Sequence, residues 1–225
     1  MPAPDLFLIS GGSGGIGGAV CDQLAQRGFT PVVGYCSNRR AAERVAARTG
    51  GMALELDLTS ESSIASVCTT LAARQSNLAG VILAGSPQPR LGPIGTVTTE
   101  DMMRQWQVNA LGPQLLLAGL VRHCFRKTKR GSVVGVLTRA MGTGIGTAAS
   151  NMGAYVIAKS GLAGVLAALA ADYSWLRVRS VNPGYTETPM LSVFDERFLA
   201  LQRERQPFQT PDDVAQQIVE EALGT

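Results

Sequence analysis

The sequence predicts an α/β fold: a doubly wound parallel sheet of about six strands with helices on both faces. Three observations carry this expectation. Short apolar runs alternate with longer helix-like segments along the whole chain, the pattern of repeated βαβ units. Several of the runs are continuously apolar, as strands covered on both faces require. The first run also leads directly into a glycine-rich turn and a helix-like segment, and such sheets bind ligands beyond the carboxyl ends of their strands.

In chain order, the expected strands are Leu6–Ser10, Pro31–Tyr35, Met52–Leu56, Val81–Ala84, Val133–Leu137 and Val178–Asn182. The expected helices lie near 15–28, 39–48, 61–74, 99–125, 152–172 and 211–222. No composition shift marks a linker, so residues 1–225 read as one domain.

Composition excludes several classes. A chain that is 45% hydrophobic and 16% charged can form a core and is not disordered. A net charge of +3 provides no strong field for nucleic acid. Cys21, Cys36, Cys68 and Cys124 are widely spaced, and His123 is the single histidine, so zinc-site and C-x-x-C redox spacings are missing and no metal is expected. Buried free thiols in a reducing cytoplasm are the expectation. The start Met1-Pro2-Ala3-Pro4-Asp5 carries no basic leader, and Leu6–Ser10 is too short to span a membrane. The apolar stretch from Tyr155 to Ala171 is interrupted by Lys159. A soluble, cytoplasmic protein is expected.

Seven of the eight residues from Ser10 to Gly17 are glycine or serine. Between a strand and a helix, such a turn lets backbone approach a pyrophosphate at a helix N-terminus. It reads as G-x-G-x-x-G (Gly12, Gly14, Gly17) or as G-x-x-x-G-x-G (Gly11, Gly15, Gly17). Ser10, Gly11, Ser13, Gly15, Ile16 and Gly17 are therefore candidate cofactor contacts. An NAD site of this type places a carboxylate at the end of the second strand. Here the chain has Ser37-Asn38-Arg39-Arg40 instead, suited to a 2′-phosphate through charge-assisted hydrogen bonds. The expected cofactor is NADP(H).

Tyr155 and Lys159 are spaced i, i+4 on one helix face. A phenol near pKa 10 is a poor base at neutral pH, and a neighbouring cation lowers that value enough to make it a general acid–base. Together with the glycine turn, this pair makes the chain resemble the short-chain dehydrogenase/reductase family, and in particular its 3-oxoacyl reductases. That resemblance implies a nicotinamide-binding Rossmann fold.

The resemblance extends along most of the chain. Ser10-Gly11-x-x-x-Gly15-Ile16-Gly17 resembles T-G-x-x-x-G-I-G. Asp57-Leu58 is similar to the family's adenine-contacting pair, and Ala84-Gly85 keeps the end of its N-N-A-G motif. Asn109 matches the helix asparagine of its proton relay, while Pro183, Gly184, Thr186 and Thr188 fall in its P-G-x-x-x-T-x-M segment. The implied reaction is reversible hydride transfer between NADP(H) and a carbonyl compound, with Tyr155, Lys159, Thr138 and Asn109 catalytic. The implied partners are a small ketone or alcohol, carrier-linked or free, and a second copy of the chain in a homodimer or homotetramer. Neither nucleic acid nor membrane is expected.

Three departures qualify the resemblance. The asparagines of N-N-A-G are replaced by Ile82-Leu83. The family's catalytic serine falls on Thr138, 17 positions before Tyr155, four more than is customary, so Thr143, Ser150 or Asn151 in the inserted loop are alternatives. No seventh strand follows the last helix. These departures keep open a second reading, a non-catalytic NADP(H)-binding sensor or structural protein.

Overall fold

The computed structural model describes residues 5–74 and 77–225; Met1–Pro4, read above for a leader, lie outside them. Six strands form one parallel sheet: β1 (Leu6–Ser10), β2 (Thr30–Tyr35), β3 (Met52–Glu55), β4 (Leu78–Leu83), β5 (Ser132–Val136) and β6 (Arg177–Val181). Their spatial order is β3-β2-β1-β4-β5-β6. The order reverses between β1 and β4, so connections leave in opposite directions and open a crevice above the strand ends. Leu8 pairs with Val32 on one side and Val81 on the other, fixing the register of the centre.

Side-chain alternation divides the core in two. Leu6 and Leu8 of β1, with Val81 and Leu83 of β4, join Leu116, Leu120, Leu162 and Leu166 on one face. Phe7 and Ile9, with Ile82 and Val134, join Val20, Leu24, Val214 and Ile218 on the other. The first face is covered by α3 (Glu61–Ala72), α5 (Gly112–Leu120) and α7 (Gly153–Asp172), the second by α1 (Gly15–Gln26), α2 (Arg39–Thr49) and, after α8 (Glu196–Arg205), by α9 (Pro211–Leu223). Helix α7 is long and apolar enough to cross a membrane by composition, yet its Leu162, Leu166 and Leu169 are buried in the core.

The segment expected as one helix over 99–125 is divided. It begins as α4 (Thr99–Trp106), capped by reciprocal Thr98 and Asp101 bonds. It then passes through π-helical turns at Gln107–Leu111 and Val121–Phe125 on either side of α5, and ends in the short α6 (Arg126–Thr128). Each π turn inserts one extra residue into the helical repeat, and the first contains Asn109.

No seventh strand pairs with β6 among the described residues. Its edge is charged, with Arg177 and Arg179 along it and Arg179 3.6 Å from Glu221; cationic side chains discourage edge-to-edge pairing. The cysteine expectation holds for Cys21 and Cys68, which are buried, but Cys124 is half-buried and Cys36 is exposed. Cys36 lies just past the end of β2.

Gly112 shows how closely this frame is packed. A Cβ there would overlap the carbonyl oxygen of Leu58 and come within 2.7 Å of the Leu58 side chain. Helix propensity alone favours alanine by about 1 kcal/mol, but the overlap is with backbone that cannot rotate away. Gly112→Ala is therefore expected to reduce unfolding free energy by about 1–3 kcal/mol in urea denaturation; equal or greater stability would contradict this packing.

Candidate functional site

The carboxyl end of β5 and the segments that follow β4 and β6 meet at a cavity of about 440 Å³. Behind it, the glycine turn is built without side chains because the backbone leaves no room. Gly11 has φ +67°, and a Cβ on it would lie 2.7 Å from Gly85 Cα, while one on Gly17 would overlap the Gly11 carbonyl. Ser10 is buried, and its hydroxyl accepts from the Gly85 N–H at 3.2 Å, tying the ends of β1 and β4. Helix α1 starts from Gly14 with no side-chain cap and no acidic residue in its first turn. Its first N–H groups thus lack a side-chain acceptor and suit an anion. Thr188 closes the other side; its Cγ2 would be 2.8 Å from a Cβ on Gly15.

The catalytic candidates come from three elements. Tyr155 and Lys159 project from one face of α7, both buried, with the Lys159 Nζ 5.8 Å from the Tyr155 ring centroid. Lys159 is 2% exposed and donates to the Val136 carbonyl at 2.8 Å. Thr138, just past β5, has an oxygen that accepts from the Ala140 N–H at 3.1 Å. That bond orients the oxygen and leaves the hydroxyl proton able to donate elsewhere. Thr138, Tyr155 and Lys159 all line the cavity, whereas Thr143, Ser150 and Asn151 do not. The inserted loop is instead held by its own bonds: the Thr147 hydroxyl accepts from the N–H groups of Thr143 and Gly144, and Ala149 N–H donates to Ala140.

Burial sets the protonation of the pair. With no carboxylate beside it, desolvation pushes Lys159 down to about 7. Burial pushes the Tyr155 phenol up, opposed by the Thr138 hydroxyl. This differs from the expectation that the cation dominates and lowers the phenol: in this chain desolvation is the larger effect. Asn109, fully buried, donates to the Gln105 carbonyl at 3.2 Å and to its side-chain oxygen at 3.0 Å, while its own Oδ1 has no partner.

Other candidates stand apart from this cluster. Ala84, Pro183, Gly184, Thr186 and Ile16 line the cavity, but Ser13, Ser37, Asn38, Arg39, Arg40, Asp57 and Leu58 do not. Asn38 caps α2 by accepting from Ala41 N–H, and Arg39 pairs with Glu43 at 2.7 Å. Asp57 accepts from the backbone and hydroxyl of Thr59, both at 2.8 Å. Leu58 is a buried core residue. Arg40 makes no ion pair among the described residues, which leaves it the freer of the two arginines. From the segment after β6, Met190, Leu191 and Phe194 also line the cavity. Sequence reasoning missed Tyr185 and Phe208, stacked with ring centroids 5.0 Å apart, and Gln105, which braces Asn109. Only the i, i+4 spacing of Gln105 and Asn109 could have signalled the brace.

A family model described as Enoyl-(Acyl carrier protein) reductase matches residues 11–220. The chain belongs to the short-chain dehydrogenase/reductase family. It is 31% identical to a 3-oxoacyl-[acyl-carrier-protein] reductase of Bos taurus, over 85% of this chain and 79% of that one. It is 27% identical to the cis-4-hydroxycyclohexanecarboxylate dehydrogenase of Sinomonas cyclohexanicum, over 96% of this chain and 88% of the relative. The structure of a Brucella melitensis 3-ketoacyl-(acyl-carrier-protein) reductase complexed with NADH superposes with a TM-score of 0.87 at 21% identity, over 99% of this chain and 92% of that one. The chain is thus an oxidoreductase of a family that binds a nicotinamide cofactor. The bare glycine turn, the uncapped start of α1 and the spare donors on Lys159 fit such a group.

Lys159 generates a stability signature. Between pH about 7 and its ordinary 10.5, the unfolded chain binds a proton at this site that the folded chain does not. The burial penalty therefore grows as pH falls through that window, is complete below about 7, and vanishes above 10.5. Lys159→Met removes it. Relative to the parent, this variant should gain stability on going from pH 10 to pH 7, by on the order of 4 kcal/mol. Urea denaturation at both pH values checks this, and a stability difference that does not change with pH would rule out the depressed lysine.

Proposed function

We propose that the protein is an NADP(H)-dependent reductase that converts a ketone to a secondary alcohol, with Tyr155 as general acid. The observation that carries the proposal is the convergence of Thr138, Tyr155 and buried Lys159 on one cavity wall beside the bare glycine turn. When bound, the reduced cofactor supplies the hydride. Thr138 donates a hydrogen bond to the substrate carbonyl oxygen and stabilises the negative charge that develops there. The Tyr155 phenol gives its proton to that oxygen, and the raised pKa keeps the phenol protonated and ready at neutral pH. The Lys159 ammonium then stabilises the tyrosinate, and Asn109, braced by Gln105, supports the path by which the proton is restored.

The relatives support an alcohol or ketone substrate, with 3-oxoacyl thioesters among the candidates. The basic run Arg126–Arg130 is a poor dock for delivering a carrier to this chain's own pocket: it precedes β5, and the pocket lies beyond the other end of that strand, roughly 16 Å away. A homodimer is proposed through α4, the π turn that follows it and α7, where Met103, Trp106, Leu111 and Ile157 are exposed. Gly161 is filled from within by the Trp106 ring, while Gly164 faces open space.

Tyr155→Phe should reduce ketone turnover by about 10²–10⁴-fold while fluorescence titration still detects NADPH. Unchanged turnover would overturn the acid assignment, and cofactor binding with no turnover of any ketone by the parent would favour a sensor. Arg40→Ala should reduce the ratio of NADPH to NADH affinity by at least tenfold, through loss of a charge-assisted bond worth about 1.5–3 kcal/mol; an unchanged ratio would remove Arg40 from 2′-phosphate recognition.

A further inference from the structure

The charges around the cavity are all of one sign. Lys159, Arg139 and Arg205 line it, no aspartate or glutamate does, and the rest of the lining is apolar or neutral. Lys159 is committed to the proton relay proposed above, which leaves two guanidinium groups. Neither Arg139 nor Arg205 has an ion pair or side-chain hydrogen bond among the described residues, whereas nearby Arg203 is held by Glu187 at 3.0 Å.

Arg139 is placed with some care. Its N–H donates to the Pro183 carbonyl at 2.9 Å, and its carbonyl accepts from the Gly142 N–H at 3.0 Å. Its side chain runs beside Gly184, where a Cβ would come within 3.5 Å of Arg139 Cδ and 3.7 Å of one terminal nitrogen. It follows Thr138 directly in the chain, with Cα atoms about 3.8 Å apart. Arg139 thus lines the cavity from the segment that carries Thr138. The start of α1, where Gly15 meets Thr188, reaches the cavity through Ile16 and Thr188. Arg139 is exposed, and a guanidinium on a fixed backbone without a partner, in a cavity lined also by the neutral Met190, Leu191 and Phe194, is suited to a planar anionic oxygen pair.

We propose that Arg139 is a specificity-determining residue that binds a carboxylate of the substrate, with Arg205 as a second cation at the cavity mouth. The substrate is then a compact oxo acid, in which an apolar ring or short chain separates the ketone from the carboxylate. The inference rests on the reading of this cavity as a ketone-reducing site and adds the charge of the molecule that enters it.

Binding can be read without turnover. Calorimetric titration of the NADPH-loaded protein with cyclohexanecarboxylate and with cyclohexanecarboxamide compares the same ring with and without charge. The carboxylate should bind at least tenfold more tightly. Arg139→Met should abolish that preference, Arg139→Lys should retain part of it, and Arg205→Met should reduce it by less than Arg139→Met does. In a second arm, kcat/KM for 4-oxocyclohexanecarboxylate should exceed that for its methyl ester by 10–100-fold, and Arg139→Met should collapse the ratio towards one. Equal binding of acid and amide, no binding of either, or a preference that survives Arg139→Met would overturn the proposal. Charge-selective binding without turnover of any ketone would retain the carboxylate site and overturn the reductase reading. Turnover of neutral ketones without charge preference would do the reverse.

Discussion

The rest of the site depends on an ammonium group held out of water. Lys159 donates one hydrogen bond to the Val136 carbonyl and has no carboxylate partner. A buried cation so poorly compensated is costly to keep, and its position dictates the surroundings. Helix α7 must cross the carboxyl end of β5 so that the ammonium reaches Val136. That crossing carries Tyr155, one turn earlier, to the hydroxyl of Thr138. Small residues make the approach possible: Leu166 lies where a Cβ on Gly135 would be, and the Trp106 ring rests on Gly161. The long apolar helix that composition alone would allow in a membrane therefore packs in the core and carries one buried charge to the cavity.

The second constraint is the absence of side chains. At Gly11 and Gly17, packing within the protein already excludes a Cβ, so those glycines serve the turn before they serve a ligand. Their consequence for function is that backbone N–H groups form the surface offered to an anion at the start of α1. A negatively charged cofactor at that surface would also favour the charged form of Lys159, coupling occupancy of the turn to the proton chemistry of the cavity.

The sheet was legible in the sequence because each central strand is an uninterrupted apolar run followed by a turn. Expected and observed strand ends differ by at most a few residues, as at β4, which begins at Leu78 rather than Val81. The Tyr155–Lys159 pair was legible because helical spacing puts both on one face. What escaped was whatever depends on tertiary surroundings. Spacing puts a cation beside Tyr155, but only burial shows that desolvation outweighs it and raises the phenol pKa. Arg39 and Arg40 look alike in sequence, yet Glu43 one turn on pairs with Arg39. The π turn around Asn109 keeps ordinary helical composition, so nothing local distinguishes it from α-helix. Arg139 was hidden by its neighbour: the family resemblance drew attention to Thr138, and only the packing beside Gly184 places the next side chain at the cavity.

Desolvation sets the protonation of Lys159, and a bound anionic cofactor would favour its charged form. Its titration can be followed directly by NMR of the protein carrying ¹³C-labelled lysine, with the resonance assigned by its loss in Lys159→Met. The midpoint should lie at about 7 in the free protein and move upward when NADPH is added. A midpoint near the ordinary 10.5, the same with and without NADPH, would contradict this.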